Sequence, residues 1–147
     1  MATVNVYLTF DGNCEEAFNF YKSVFGGELC NVCKYSDMPP MPNMPPLSDA
    51  DKNKIMHICF PISQETALMG ADFCEFEPGM KLNQGNNFTI CINPKDEAEA
   101  QKLFDALAVG GQITMPLEKQ FWGSLNGMLV DKFGIAWMVD FALEQPK

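Results

Sequence analysis

The fold is decided by two stretches, residues 4–35, VNVYLTFDGNCEEAFNFYKSVFGGELCNVCKY, and residues 87–117, NFTICINPKDEAEAQKLFDALAVGGQITMPL. Each reads as a strand, a short polar loop, a helix, a pair of glycines and another strand. Ala17, Phe20, Tyr21, Val24 and Phe25 recur at an offset of 83 as Ala100, Leu103, Phe104, Leu107 and Ala108. That spacing keeps each set on one side of a helix. Asn13 is followed three residues on by Glu16, and Asp96 by Glu99, the pattern of an N-cap with a carboxylate reaching back. Gly26-Gly27 and Gly110-Gly111 suit the helix ends. Cap, stripe and stop recurring together predict an internal repeat.

Strand-like runs continue each copy: KIMHICFPI and ETALMGADF in the first, LNGMLVDKF and GIAWMVDFAL in the second. Short strands cannot bury their faces alone. The expectation is a single α+β domain over residues 1–147, built of two βαβββ modules at about 1–80 and 85–147. The modules would form a cupped mixed sheet with helices on the outer face. By alternation, Val4, Val6, Leu8 and Phe10 oppose Asn5, Tyr7 and Thr9; Phe88, Ile90 and Ile92 oppose Asn87, Thr89, Cys91 and Asn93; Met56, Ile58, Phe60 and Ile62 oppose His57 and Cys59; and Ile135, Trp137, Val139 and Phe141 oppose Ala136, Met138 and Asp140. The first face of each strand should lie under helices. The second, sparsely charged, suits the lining of a ligand recess.

The 147 residues are 47% apolar and 20% charged, with a net charge of −9. This balance disfavours nucleic acid as a partner, because counterion release needs a basic face. No apolar run approaches the ~18 residues of a membrane span, and MATVNVYLTF has no basic leader. A cytoplasmic protein with reduced, mostly buried thiols is expected. Residues 36–53, with five prolines and three interspersed methionines, should be neither helix nor central strand. They read as a long loop or an apolar flap.

YLTFDGNCEEAFNFYKSVFGGE, IMHICFPI, ALMGAD and TMPLEKQFWGSLNGMLVDKFGIAWMV resemble the PhnB-like branch of the vicinal oxygen chelate superfamily, which includes glyoxalases, bleomycin-resistance proteins and dioxygenases. The resemblance covers nearly the whole chain and implies the same two-module fold and a homodimer. It places the metal-ligand positions of catalytic members near Asn5, His57, Asn87 and Met138. Of these only His57 is a good transition-metal ligand. Members of the branch are sometimes labelled demethylubiquinone methyltransferases, yet no glycine-rich strand–turn–helix motif is present.

His57 is the sole histidine and falls on the mixed face, as ligand contact or general base. Tyr7 shares that face, and Trp122, between Phe121 and Gly123, is a candidate for stacking on a planar ligand. Asp140 could join His57 at a weakly held divalent metal. Asp131 reads as a turn residue and Trp137 as core. Cys30 and Cys33 lie three apart on a strand, which predicts opposite faces and poor chelation. The expected function is binding of an unidentified small molecule by Tyr7, His57, Trp122, Asn5, Asn87 and Met138, with no resident cofactor. The alternative is a metal-dependent lyase, isomerase or dioxygenase using His57.

Overall fold

The computed structural model describes residues 2–39, 47–75 and 79–143. The chain divides into two compact units, Met1–Gln84 and Gly85–Lys147. In the first, β1 (Val6–Phe10), α1 (Cys14–Phe25), β2 (Cys30–Lys34), β3 (Ile55–Pro61) and β4 (Ala67–Asp72) form a sheet in the order β1-β4-β3-β2. β1 runs parallel to β4, and the other pairs are antiparallel. In the second, β5 (Ile90–Ile92), α3 (Glu97–Ala108), β6 (Gln112–Lys119), β7 (Ser124–Val130) and β8 (Ala136–Ala142) form a sheet in the order β5-β8-β7-β6, again with one parallel pair, β5 and β8. The fold is α+β, two βαβββ modules each with a mixed four-stranded sheet.

The repeat extends to the register. In the first unit Tyr7 pairs Met69, Met69 pairs Cys59 and Cys59 pairs Cys30. In the second, Cys91 pairs Met138, Met138 pairs Met128 and Met128 pairs Met115. One step along, Cys33 pairs His57 and Glu118 pairs Asn126. A bulge separates the two pairs in both units, between Cys30 and Cys33 and between Met115 and Glu118. In the first it passes through Asn31, whose φ of 52° is left-handed, a conformation asparagine tolerates better than most residues.

α1 lies on β3 and β4, and α3 on β6, β7 and β8. Ala17, Phe18, Tyr21 and Val24 of α1, and Ala100, Leu103, Phe104 and Leu107 of α3, are buried. The first stripe is therefore rotated from the sequence reading: Phe18 is fully buried, whereas Phe20 and Phe25 are only half-buried. Gly70 of β4 explains this. A Cβ there would come within 2.8 Å of the Phe18 ring, so the missing side chain makes the ring's seat. Ile58 and Phe60 of β3, and Trp137 and Val139 of β8, are fully buried as well. A buried aromatic or aliphatic side chain of this size contributes roughly 1.5–3 kcal/mol.

Three local expectations are corrected. Val4 and Phe88 precede the paired parts of β1 and β5 and are exposed rather than covered. Asn13 makes no side-chain cap, whereas Asp96 caps α3 by accepting from Glu99 N at 2.7 Å. Part of residues 36–53 is helical: a single 3-10 turn at Tyr35–Asp37 and α2 at Asp49–Lys52, capped by Ser48. Met41, Met44 and the remainder of 40–46, on which the flap reading rested, lie outside the described residues.

Candidate functional site

In the first unit, the sheet face opposite α1 carries Asn5, Tyr7 and Thr9 beside β4, and His57 and Cys59 on β3. The β2 bulge returns Cys33 to this same face: Cys30 pairs Cys59, Cys33 pairs His57, and residues paired across a ladder share a face. The expectation that Cys30 and Cys33 point oppositely is thereby overturned, because the bulge adds one residue to the period of two. These side chains form a surface of hydroxyl, amide, imidazole and sulfur groups without a formal charge.

Tyr7 Oη lies 3.4 Å from His57 Nδ1, with ring centroids 5.9 Å apart and planes tilted by 33°. Tyr7 is 51% exposed and His57 half-buried. Partial burial, helped by Cys14, pushes the Tyr7 phenol above its ordinary value, so it stays protonated at neutral pH and available as a donor. With Tyr7 donating to Nδ1, a neutral imidazole carries its proton on Nε2 and donates from there. Asn5 is on the same face, but its Oδ1 accepts from Ala67 N at 2.8 Å, so it helps join β1 to the start of β4.

The second unit presents a different face at the equivalent positions. Asn126, in the place His57 occupies in the first module, is buried, and its Nδ2 donates to Asp140 Oδ1 at 3.0 Å. Asp140 is half-buried beside Met138. Burial and the Asp140 charge push the Cys91 thiol up. Ser124, two residues before Asn126, is buried, and its Oγ has no hydrogen-bond partner among the described residues. Asn126 was missed by sequence reasoning. Its signal was alternation: it is the polar residue between Leu125 and Gly127 on a strand that is otherwise apolar or small. Asn87 is exposed, ahead of β5. Trp122 lies in the β6–β7 turn, 51% exposed, and meets Phe121 edge-to-face at 5.0 Å. Trp137 is fully buried, and its Nε1 donates to Asp131 Oδ2 at 2.8 Å.

Apart from His57, the candidate metal donors are weak or already engaged. The Asn5 oxygen is engaged by a backbone N–H, Met138 offers a soft thioether, and Asp140 is hydrogen-bonded to Asn126. Among the described residues, no three His, Cys, Asp or Glu side chains group so as to hold a metal ion. No helix among them is long and apolar enough to cross a membrane.

The architecture is shared with known proteins. The crystal structure of PA1353 from Pseudomonas aeruginosa is 36% identical and covers 98% of this chain and 100% of its own, with a TM-score of 0.82. The PhnB protein from Bacillus cereus is 25% identical over 96% of this chain and 100% of its own, with a TM-score of 0.73. Protein YjdN of Escherichia coli K12 is 29% identical over 146 residues, 95% of each chain. At lower identity, members of the glyoxalase/bleomycin resistance/dioxygenase group share the fold. A family profile described as 3-demethylubiquinone-9 3-methyltransferase matches residues 2–140. With that match spanning both modules, the chain belongs to the family this profile describes, is similar to the PhnB protein, and has the fold of the glyoxalase/bleomycin resistance/dioxygenase proteins.

Proposed function

We propose that this PhnB-like chain binds a small planar ligand bearing an oxygen, held on the uncharged sheet face of the first module, with His57 and Tyr7 as its polar contacts. The observation that carries the reading is the Tyr7–His57 pair. It orients an imidazole beside Met69 and Cys59 on a face without formal charges. Polarizable sulfurs and an aromatic ring favour a flat apolar body. The imidazole Nε2–H supplies directional recognition of an oxygen.

The family description names a methyl transfer, and the β1–α1 turn is not built as a cradle for a nucleotide-type methyl donor. β1 passes to α1 through Asp11-Gly12-Asn13, which has one glycine and no glycine-rich cradle. Binding without that cofactor is therefore the favoured reading.

The sole histidine gives a direct test, since its ring protons are unambiguous in a proton NMR spectrum. Titration with 2-naphthol as probe is expected to move the His57 Hε1 resonance saturably. His57→Ala should weaken binding, followed by naphthol fluorescence, by about tenfold, the loss of roughly one hydrogen bond. An unmoved His57 signal at saturating probe, or unchanged affinity in the variant, overturns the proposal.

A further inference from the structure

Cys30 on β2 and Cys59 on β3 are direct cross-strand partners in an antiparallel ladder, on the same face of the sheet. The two side chains are near enough that Cys30 acts on the Cys59 thiol. Residues opposite one another in such a ladder have Cα atoms roughly 4.5–5.5 Å apart, inside the range a disulfide spans without backbone movement. Both thiols are free and half-buried, so small oxidants reach them. Two further thiols invite comparison. Cys33 is on the same face but pairs His57, and Cys74 is buried beside Asp51 and Lys54. Neither has a cysteine directly across from it.

We propose that Cys30 and Cys59 are a thiol–disulfide exchange site, a reversible clasp that ties edge strand β2 to β3 beside the Tyr7–His57 pair. The chemical partner is a small disulfide such as oxidised glutathione. The Cys30 thiolate attacks it, forming a mixed disulfide and releasing one glutathione thiolate. The Cys59 thiolate then attacks the Cys30 sulfur, forming the Cys30–Cys59 bond and releasing the second glutathione. The protein loses two hydrogens and two electrons, and the disulfide reagent gains them. Burial and the adjacent Cys30 push the Cys59 thiol up. That places Cys59 in the second, intramolecular step, where proximity offsets a small thiolate fraction. Because β2 is an edge strand, fastening it constrains the segment from Cys30 to Cys59 and stiffens one border of the proposed ligand face.

The test is incubation of the full-length reduced protein with oxidised glutathione, followed by intact mass and a non-reducing digest. The expected result is a loss of about 2 Da, a Cys30–Cys59 cross-linked peptide, and reversal by dithiothreitol. Cys33→Ser should still form the bond. Cys59→Ser should instead stop at a glutathione adduct on Cys30. A Cys30–Cys33 cross-link overturns the proposal, as do adducts without a cross-link in the unsubstituted protein or loss of the bond in Cys33→Ser. Circular dichroism of each variant separates misfolding from altered chemistry.

Discussion

The backbone N–H of Cys14 donates to Asp72 Oδ1 at 2.9 Å, so α1 receives its N-terminal cap from strand β4 rather than from Asn13 beside it. The other carboxylate oxygen accepts Ile55 N at 2.8 Å, and the group is 3% exposed. One side chain thus joins a helix start to the first residue of β3. It also returns a negative charge to a helix N-terminus, where it is favoured.

Asp72→Ala is expected to leave two buried N–H groups unpaired and to cost about 3 kcal/mol. Asn13→Ala, by contrast, should stay within roughly 0.5 kcal/mol of the parent, as a surface change without a lost cap. Urea denaturation of the two variants checks the contrast. Equal effects would place the cap locally after all.

Asp131 should be the corresponding anchor of the second module. It accepts from Phe133 N at 2.8 Å, Ile135 N at 3.1 Å and Trp137 Nε1 at 2.8 Å. Asp131→Ala is expected to destabilise by about 3–4 kcal/mol, because a turn and an indole N–H lose their acceptor together. Trp137→Phe should remove the indole donor and spare the turn, with a smaller loss. Parallel urea titrations rank the two variants, and a larger cost for Trp137→Phe would contradict the assignment.

Gly70→Ala places a methyl 2.8 Å from both the Phe18 ring and the Leu8 carbonyl. The expected cost is about 1–3 kcal/mol of overpacking. Phe18→Leu in the same chain should relieve only part of it, because the backbone carbonyl cannot withdraw. Thermal denaturation of the single and double variants measures the coupling.

Alkaline pH should expose Tyr35. Burial first, then neighbouring Cys74, Tyr7 and Asp72, pushes its phenol from 10.0 up to about 12. Its Oη donates to Asp72 O at 2.9 Å. The folded state therefore holds a proton that the unfolded state releases earlier. The stabilising contribution is complete below pH 10.0 and declines as pH rises toward about 12. Tyr35→Phe is expected to lower stability at pH 8 by about 1 kcal/mol for the lost hydrogen bond and to flatten the decline above pH 10. An unchanged alkaline limb in the variant would assign the titration elsewhere.

Much of the fold was legible because periodicity reports burial. The stripe Ala100, Leu103, Phe104 and Leu107 was read correctly, and so was the core face of Trp137 and Val139. The candidate site was legible in part. Alternation put Tyr7 and His57 on one face, but their contact depends on a strand order that brings β4 between β1 and β3. Cys33 was misplaced because a bulge leaves no periodic trace. The Phe18 seat was hidden because it requires Gly70, far away in sequence, to be its neighbour.

Local chemistry along the chain determined the two-module plan, the helix positions and the division of each strand into a greasy and a mixed side. Those properties follow from solvent aversion repeated at fixed intervals, and solvent acts on each residue individually. The Asp72 cap, the tyrosine–histidine contact and the Cys30–Cys59 pairing were decided only when distant strands came into register. Each depends on hydrogen-bond geometry between segments whose separation no local pattern encodes.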